Sequence, residues 1–339
     1  MERHDAFHLL RSGFRWSPDK AADAEMRVGI SPDAVAERLP LVGYYWSKSC
    51  ANDRFAEDWC RHVVELIRRD PSANFIRMPF LARPASRCRA ALLKVRDEWV
   101  RQMELHPASV EIIDSAALFF AELDPSISDK LLVRASQLDG NRGRWAHRRA
   151  LLLSEQVRGG LSDRNLIRTR IEELERTCFE PADKEGRSYL SAELARCAFA
   201  AGLDDAARLA QIAVTAGERS DRRVGFDDPL HDANIILGRI AMRSGDATGA
   251  ARFLLRAANV RLSPHPEPLG PDVVLAEALL AAGHRDAVAE YFTICASRWA
   301  EGREMLQGWA HDIRKGRTPE LPSDREHSNG RVWTASLFE

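Results

Sequence analysis

The clearest structural signal in the chain is HDANIILGRIAMRSGDATGAARFLLRAANV, residues 231–260, in which apolar side chains recur every three or four positions. Gly238 lies in the first half and Ala250 in the second, and small residues at such places let two helices cross closely. Gly245 follows a helical run, where a residue in the left-handed conformation commonly ends a helix. The stretch predicts two antiparallel helices joined by a tight turn at Gly245 and Asp246.

The same arrangement recurs around two other glycines, Gly202 and Gly283. Each has apolar and small residues on both sides, which are Leu194, Ala195, Ala206, Ala207 and Ala213 around the first and Leu275, Ala276, Ala287 and Cys295 around the second. A fainter version covers residues 115–141. Because one hairpin of this size cannot bury its apolar face alone, each must stack on a neighbour. The sequence therefore predicts an all-α fold, an α-solenoid of stacked antiparallel helical hairpins.

These hairpins resemble tetratricopeptide repeats, whose pattern places Leu-Gly on the first helix, Gly-Asp at the turn and alanine at two positions of the second helix. Residues 231–260 carry all of these features, and the other hairpins carry part of them. The turn glycines Gly202, Gly245 and Gly283 are 43 and then 38 residues apart, whereas strict tandem repeats are about 34 residues long. The chain is also similar to uncharacterised bacterial repeat proteins. The resemblance implies a right-handed superhelix with a concave groove.

The rest of the chain is expected to be helical from residue 52 onward, because Ala, Leu, Arg and Glu dominate at helical spacing. The predicted helices are 52–69, 84–105, 109–123, 125–138, 141–158, 161–179, 186–201, 204–218, 229–244, 246–259, 271–282, 284–298 and 300–315.

Four regions are expected from this pattern. Residues 1–51 contain several prolines and glycines and are predicted to form a partly irregular N-terminal arm with one short helix at 32–39. Residues 52–180 are predicted to hold divergent repeats, and residues 181–315 the tetratricopeptide-like repeats. Residues 316–339 lose the helical periodicity and are predicted to form a C-terminal tail.

Composition restricts the function classes. Lys and Arg total 49 against 50 Asp and Glu, so no global charge attracts nucleic acid or an anionic membrane. No apolar run approaches the ~20 residues that a membrane span needs, and the first residues lack the apolar core of a signal peptide. The six cysteines form no CxxC pair, which argues against a disulfide framework or a zinc site. We expect a soluble, cytoplasmic protein.

Motifs that carry chemistry are absent from the sequence. There is no GxxxxGK[ST] phosphate loop, no GxGxxG after a strand, no HExxH and no GxSxG. The sequence therefore predicts a non-enzymatic scaffold that binds a protein or peptide, with no cofactor and no bound metal. A role as an accessory subunit of an enzyme on another chain stays open.

The resemblance to tetratricopeptide repeats implies that the first helix of each hairpin lines the groove. The residues at those positions are Tyr189, Arg196, Phe199, Asp232, Arg239, Arg243 and Glu277. The three arginines would then form a positive floor suited to an acidic peptide or a C-terminal carboxylate. The alternative is that these arginines face solvent on the convex side.

A second candidate site is a basic patch in the predicted helix 141–158. Its residues are Arg142, Arg144, Trp145, Arg148 and Arg149. The patch could bind single-stranded nucleic acid, with Trp145 as a stacking platform for a base, or a regulatory factor. The competing interpretation is a solvated helix face whose arginines pair with the glutamates at 155, 172, 173 and 175, and the balanced net charge favours it. His231 and Asp232 are predicted to cap the start of a helix.

Overall fold

The computed structural model describes residues 3–31, 34–49, 52, 54–78, 81, 88–178, 184–218, 228–260, 272–298 and 302–321. In these residues all regular secondary structure is helical, which confirms the all-α prediction. The chain divides into two compact units, Met1–Asn141 and Arg142–Glu339. The boundaries predicted from the sequence lie near residues 51, 180 and 315 instead. None of the described helices is long and apolar enough to cross a membrane.

The first unit contains seven described α-helices and one short 3-10 helix at Asn74–Arg77. The α-helices are α1 (Arg3–Gly13), α2 (Pro18–Ile30), α3 (Val35–Ser49), α4 (Arg54–Arg69), α5 (Arg89–Leu105), α6 (Val110–Leu123) and α7 (Pro125–Asp139). Helix α3 packs against α1, α2 and α4, and from α4 to α7 each helix packs against the next.

The N-terminal arm predicted for residues 1–51 is wrong, because this segment forms the three helices α1, α2 and α3. Pro18 and Pro40 do not interrupt them. Pro18 occupies the first turn of α2, where no N–H bond is needed, and the Ser17 hydroxyl accepts a hydrogen bond from Lys20 N. Pro40 lies inside α3 and is buried.

Two glycines explain why α1 and α3 pack so closely. A Cβ added to Gly13 would lie 1.8 Å from the Pro40 carbonyl oxygen, and one added to Gly43 would lie 2.0 Å from the Leu10 carbonyl oxygen. The two helix backbones are therefore in direct contact. Only glycine fits at both positions, so these residues serve packing where the sequence suggested chain breaks.

The second unit contains nine described helices. They are α8 (Arg142–Arg158), α9 (Arg164–Cys178), α10 (Lys184–Ala200), α11 (Asp205–Glu218), α12 (Asp228–Arg243), α13 (Ala247–Ala258), α14 (Val273–Ala281), α15 (Arg285–Arg298) and α16 (Arg303–Arg314). Consecutive helices from α8 to α16 pack in pairs, as in α10 with α11 and α12 with α13. Alternate helices also pack together, since α10 contacts both α8 and α12, and α12 contacts α14.

The predicted turns and crossing of the second unit are confirmed. Gly202, Gly245 and Gly283 all have the left-handed backbone conformation, with φ angles of 65°, 79° and 86°. A Cβ added to Gly238 would lie 2.5 Å from Leu275 Cδ2 and 3.5 Å from the Ala250 carbonyl oxygen. Gly238 therefore faces both its own hairpin and the next one.

Apolar side chains join the successive hairpins into shared cores. Leu254 of one hairpin and Leu275, Leu279 and Leu280 of the next lie in one buried cluster. Cys197 and Cys295 are buried and free and pack as small apolar residues. Leu321 packs against the last core, and the rest of the predicted tail, residues 322–339, lies outside the described residues.

Candidate partner-binding face

The groove residues predicted from the sequence lie on the helices that begin the successive hairpins of the second unit, namely α10, α12 and α14. We call the face that they form the ladder face, because paired charges link it from helix to helix. It consists of Tyr189, Glu193, Arg196 and Phe199 on α10, Asp232, Arg239 and Arg243 on α12, and Asp272 and Glu277 on or beside α14.

The first link of the ladder face joins α10 to α12. The Arg196 guanidinium forms an ion pair with the Asp232 carboxylate, and its Nη1 lies 3.3 Å from Glu193 Oε1. On the other side of Asp232, Oδ1 lies 3.2 Å from His231 Nδ1. The Arg196 guanidinium thus contacts two acidic side chains, and one of these, Asp232, also contacts an imidazole.

Burial and charge set the protonation of this first link. Burial alone would raise the pKa of Asp232, but Arg196 and His231 hold it below its usual value. The pKa of Glu193 is raised, because burial outweighs the attraction of Arg196. Glu193 Oε2 is buried and makes no hydrogen bond, which suits a neutral carboxyl group better than a carboxylate. The Arg196–Asp232 pair is therefore the ionised part of the link.

The second link joins α12 to the start of α14. Arg239 Nη2 lies 2.7 Å from Asp272 Oδ2. Asp272 is also the N-cap of α14, because its Oδ1 accepts a hydrogen bond from Leu275 N at 2.7 Å. The Asp272 N–H donates to the buried Tyr291 hydroxyl at 2.6 Å. Asp272 thus caps α14, forms an ion pair with Arg239 of α12 and, through its N–H group, makes a hydrogen bond to α15.

The other residues predicted to line the groove do not belong to these two ion pairs. Arg243 is exposed, and its Cζ lies 3.8 Å from the centroid of the Phe199 ring, which is a cation–π contact between α12 and α10. Glu277 is exposed on α14. The Tyr189 ring lies 5.4 Å from the ring of His147 on α8, so the contacts between these first helices extend to α8.

The predicted positive floor is wrong in its charge. The structure brings Arg196, Arg239 and Arg243 to one face, but carboxylates from the neighbouring helices neutralise the first two. The sequence missed Glu193 and Asp272 as part of the site. Asp272, directly before the apolar run of α14, is a recognisable N-cap signal. Its ion pair with Arg239 leaves no such signal, because it depends on how α12 and α14 pack.

The basic patch is wrong in its key residue. Trp145 is fully buried, with 0% of its surface exposed, so it offers no ring face to a nucleotide base. Arg149 is also buried, and its Nη2 lies 2.8 Å from Glu173 Oε1, as the competing interpretation predicted. Arg142 and Arg144 are exposed and Arg148 is half-buried, with the Arg144 Cζ 4.4 Å from the Trp145 ring centroid.

The predicted capping role of His231 and Asp232 is also wrong, since α12 begins three residues earlier, at Asp228. Both residues lie within the first turns of the helix, where their side chains face neighbouring helices. His231 is buried, and its Nε2 makes no hydrogen bond. Within the described part of the chain no group of three or more His, Cys, Asp or Glu residues is arranged to hold a metal ion.

Comparison of the sequence with protein-family models and with curated proteins finds no match.

Proposed function

We propose that the second unit is an α-solenoid of tetratricopeptide-like hairpins that binds a protein or peptide partner on the ladder face, without catalysing a reaction. Two packing observations support the solenoid. Helices pair within hairpins, and α8, α10, α12 and α14 also pack in succession, which is how stacked repeats bury a continuous core. The last described helix, α16, buries Leu306, Ala310 and Ile313 against the preceding hairpin and exposes a polar side.

The ladder face carries the binding proposal. Its charged and aromatic side chains come from the first helices of three successive hairpins and are held in place by contacts between those helices, as in Arg196–Asp232 and Arg243–Phe199. Side chains fixed in this way lose little conformational entropy when a partner binds. A surface for a partner segment fits this arrangement better than a reaction site, since the ion pairs leave no exposed nucleophile beside a general base.

The charge of the face also bears on the partner. Because Asp232 and Asp272 neutralise Arg196 and Arg239, a uniformly acidic partner would gain less binding free energy than the predicted positive floor implied. Nucleic acid is disfavoured on the same ground, and because Trp145 is buried in the basic patch. We therefore propose that the partner is a protein or peptide and that it binds in the cytoplasm. An enzyme on another chain is one form that such a partner could take.

Site-directed photo-crosslinking in the native cell tests this proposal. A benzophenone amino acid replaces Ala281, which is exposed on α14 one turn beyond Glu277, and a matched control replaces Arg252, which is exposed on α13. We expect a discrete crosslinked protein from position 281 and none from position 252. The purified partner should then bind the purified chain and give the same crosslink. Identical crosslinking at both positions, or none at position 281, would contradict the proposal.

A further inference from the structure

Two side chains of the ladder face are exposed and form no ion pair within the described residues, Arg243 on α12 and Glu277 on α14. Arg196 and Arg239, by contrast, are already bound by Asp232 and Asp272. A partner that replaced either carboxylate would have to break an existing pair first. Arg243 and Glu277 can each gain a partner without that cost.

Arg243 is prepared to bind an anion. Its guanidinium lies over the Phe199 ring, with Cζ 3.8 Å from the ring centroid. A guanidinium held by its flat face keeps the N–H groups on its edge for hydrogen bonds, and those groups match the two oxygens of a carboxylate. Because the ring already restricts the arginine, binding costs less side-chain entropy than at a freely moving arginine.

Glu277 occupies the place on α14 that Arg239 occupies on α12. Both lie six residues before the left-handed turn glycine of their own hairpin, Gly283 for Glu277 and Gly245 for Arg239. Arg243 lies one helical turn beyond Arg239. Neighbouring helices lie about 10 Å apart and one turn rises about 5 Å, so the backbone positions of Arg243 and Glu277 are about 11 Å apart along the face. The Arg243 guanidinium lies farther from Glu277 than this, because it is turned toward Phe199 on α10.

We propose that the partner segment carries two side chains of opposite charge, an acidic one that Arg243 binds and a basic one that Glu277 binds. This inference rests on the proposed function and names the chemistry of the partner. In an extended segment, which spans about 3.3 Å per residue, side chains on one face are an even number of positions apart, so the acidic and basic residues are about four or six positions apart. A segment of uniform charge would meet one unfavourable contact, because the two free charges of the face differ in sign.

Peptide selection tests the chemistry. A phage-displayed library of random dodecamers is selected against the full-length chain, and the enriched peptides are synthesised with capped ends. We expect enrichment of an acidic and a basic residue four or six positions apart. Enriched peptides without that pairing would overturn the inference and leave the proposed binding function intact. Failure to enrich any peptide would overturn both.

Charge exchange assigns the two contacts. Arg243→Glu and Glu277→Arg should each weaken the binding of a selected peptide by about tenfold, which is the range of one charge-assisted contact. The double variant should bind a peptide in which the acidic and basic residues are exchanged. Arg252→Glu and Glu290→Arg, at exposed positions on α13 and α15, are the matched controls and should leave binding unchanged. Equal losses in the controls, or no rescue of the exchanged peptide, would overturn the assignment.

Discussion

The two units of the chain hold their helices together by different means. In the first unit α1 and α3 touch through their backbones at Gly13 and Gly43, which are 30 residues apart in the sequence. In the second unit each hairpin closes over a short turn, and Gly238 lies beside apolar side chains such as Leu275 and Phe253. The first kind of contact tolerates no added atom, whereas the second can adjust because side chains can move.

Polar contacts in the two units differ in the same way. In the first unit Glu25 accepts hydrogen bonds from Tyr45, Arg61 and His62, which come from two other helices and surround it. In the second unit the two partners are 36 residues apart in the Arg196–Asp232 pair and 33 residues apart in the Arg239–Asp272 pair, so each pair joins one hairpin to the next. A repeated unit thus places similar contacts at regular intervals, while the first unit depends on contacts that occur once.

The largest effect is expected where two backbones touch. Gly43→Ala would place a Cβ 2.0 Å from the Leu10 carbonyl oxygen, so α1 and α3 must move apart. We expect the free energy of unfolding to fall by about 3 kcal/mol. Urea denaturation followed by helical circular dichroism measures the change. Gly29→Ala is the control, because an added Cβ there meets nothing within 4 Å, and it should raise stability by up to about 1 kcal/mol. Similar stabilities for the two variants would contradict the crossing.

A smaller loss is expected at the ladder face. Asp232→Asn leaves the Arg196 guanidinium beside Glu193 without its ionised partner. We expect a loss of about 2 kcal/mol, less than for a fully buried pair because 30% of the Arg196 side chain is exposed. Glu37→Gln is the control, since it breaks the exposed Arg27–Glu37 pair and should cost at most about 0.5 kcal/mol. If urea denaturation gave the same loss of stability for Asp232→Asn and Glu37→Gln, the Arg196–Asp232 pair would not hold α10 and α12 together.

The pH dependence of stability should depend on His147. Burial, together with the charges of Arg148 and Arg196, lowers its pKa to about 4. Between pH 6.5 and 4 the unfolded chain therefore binds more protons than the folded chain, so stability falls as the pH falls through this range. His147→Asn should reduce the loss between pH 7 and pH 5 by about 1 to 2 kcal/mol. Denaturation at both pH values measures it, with the exposed His311→Asn as the control. An unchanged pH dependence in His147→Asn would contradict the assignment.

The smallest effect is expected at Gly238. An added Cβ would lie 2.5 Å from Leu275 Cδ2, which is the end of a side chain and can shift. The overpacking cost is partly offset by the higher helix propensity of alanine, so Gly238→Ala should lower stability by about 1 kcal/mol. Gly308→Ala, where the added atom meets nothing within 4 Å, should raise stability in the same assay. A loss at Gly238 as large as that at Gly43 would remove the difference between the two kinds of crossing.

The helices after residue 52 could be predicted because their signals are local. Apolar spacing, the turn glycines and an N-cap such as Asp124 act within one or two helical turns, and the structure confirms them. The N-terminal helices were missed because Pro18, Pro40 and Gly43 resemble chain breaks when each is considered alone. Their roles depend on the first turn of α2 and on the contact with α1, which no short window of sequence contains.

In the candidate site, too, only the local features could be predicted from the sequence. Helical spacing and the repeat pattern are properties of the sequence, and they were enough to place Arg196, Asp232 and Arg239 on helices that begin hairpins. Packing then brought carboxylates from the next helix to two of these arginines and buried the Trp145 ring. Charge compensation and burial depend on distances between residues far apart in the chain. Only the folded arrangement therefore shows that Arg243 and Glu277 are exposed on the ladder face, whereas Arg196 and Arg239 are paired with carboxylates.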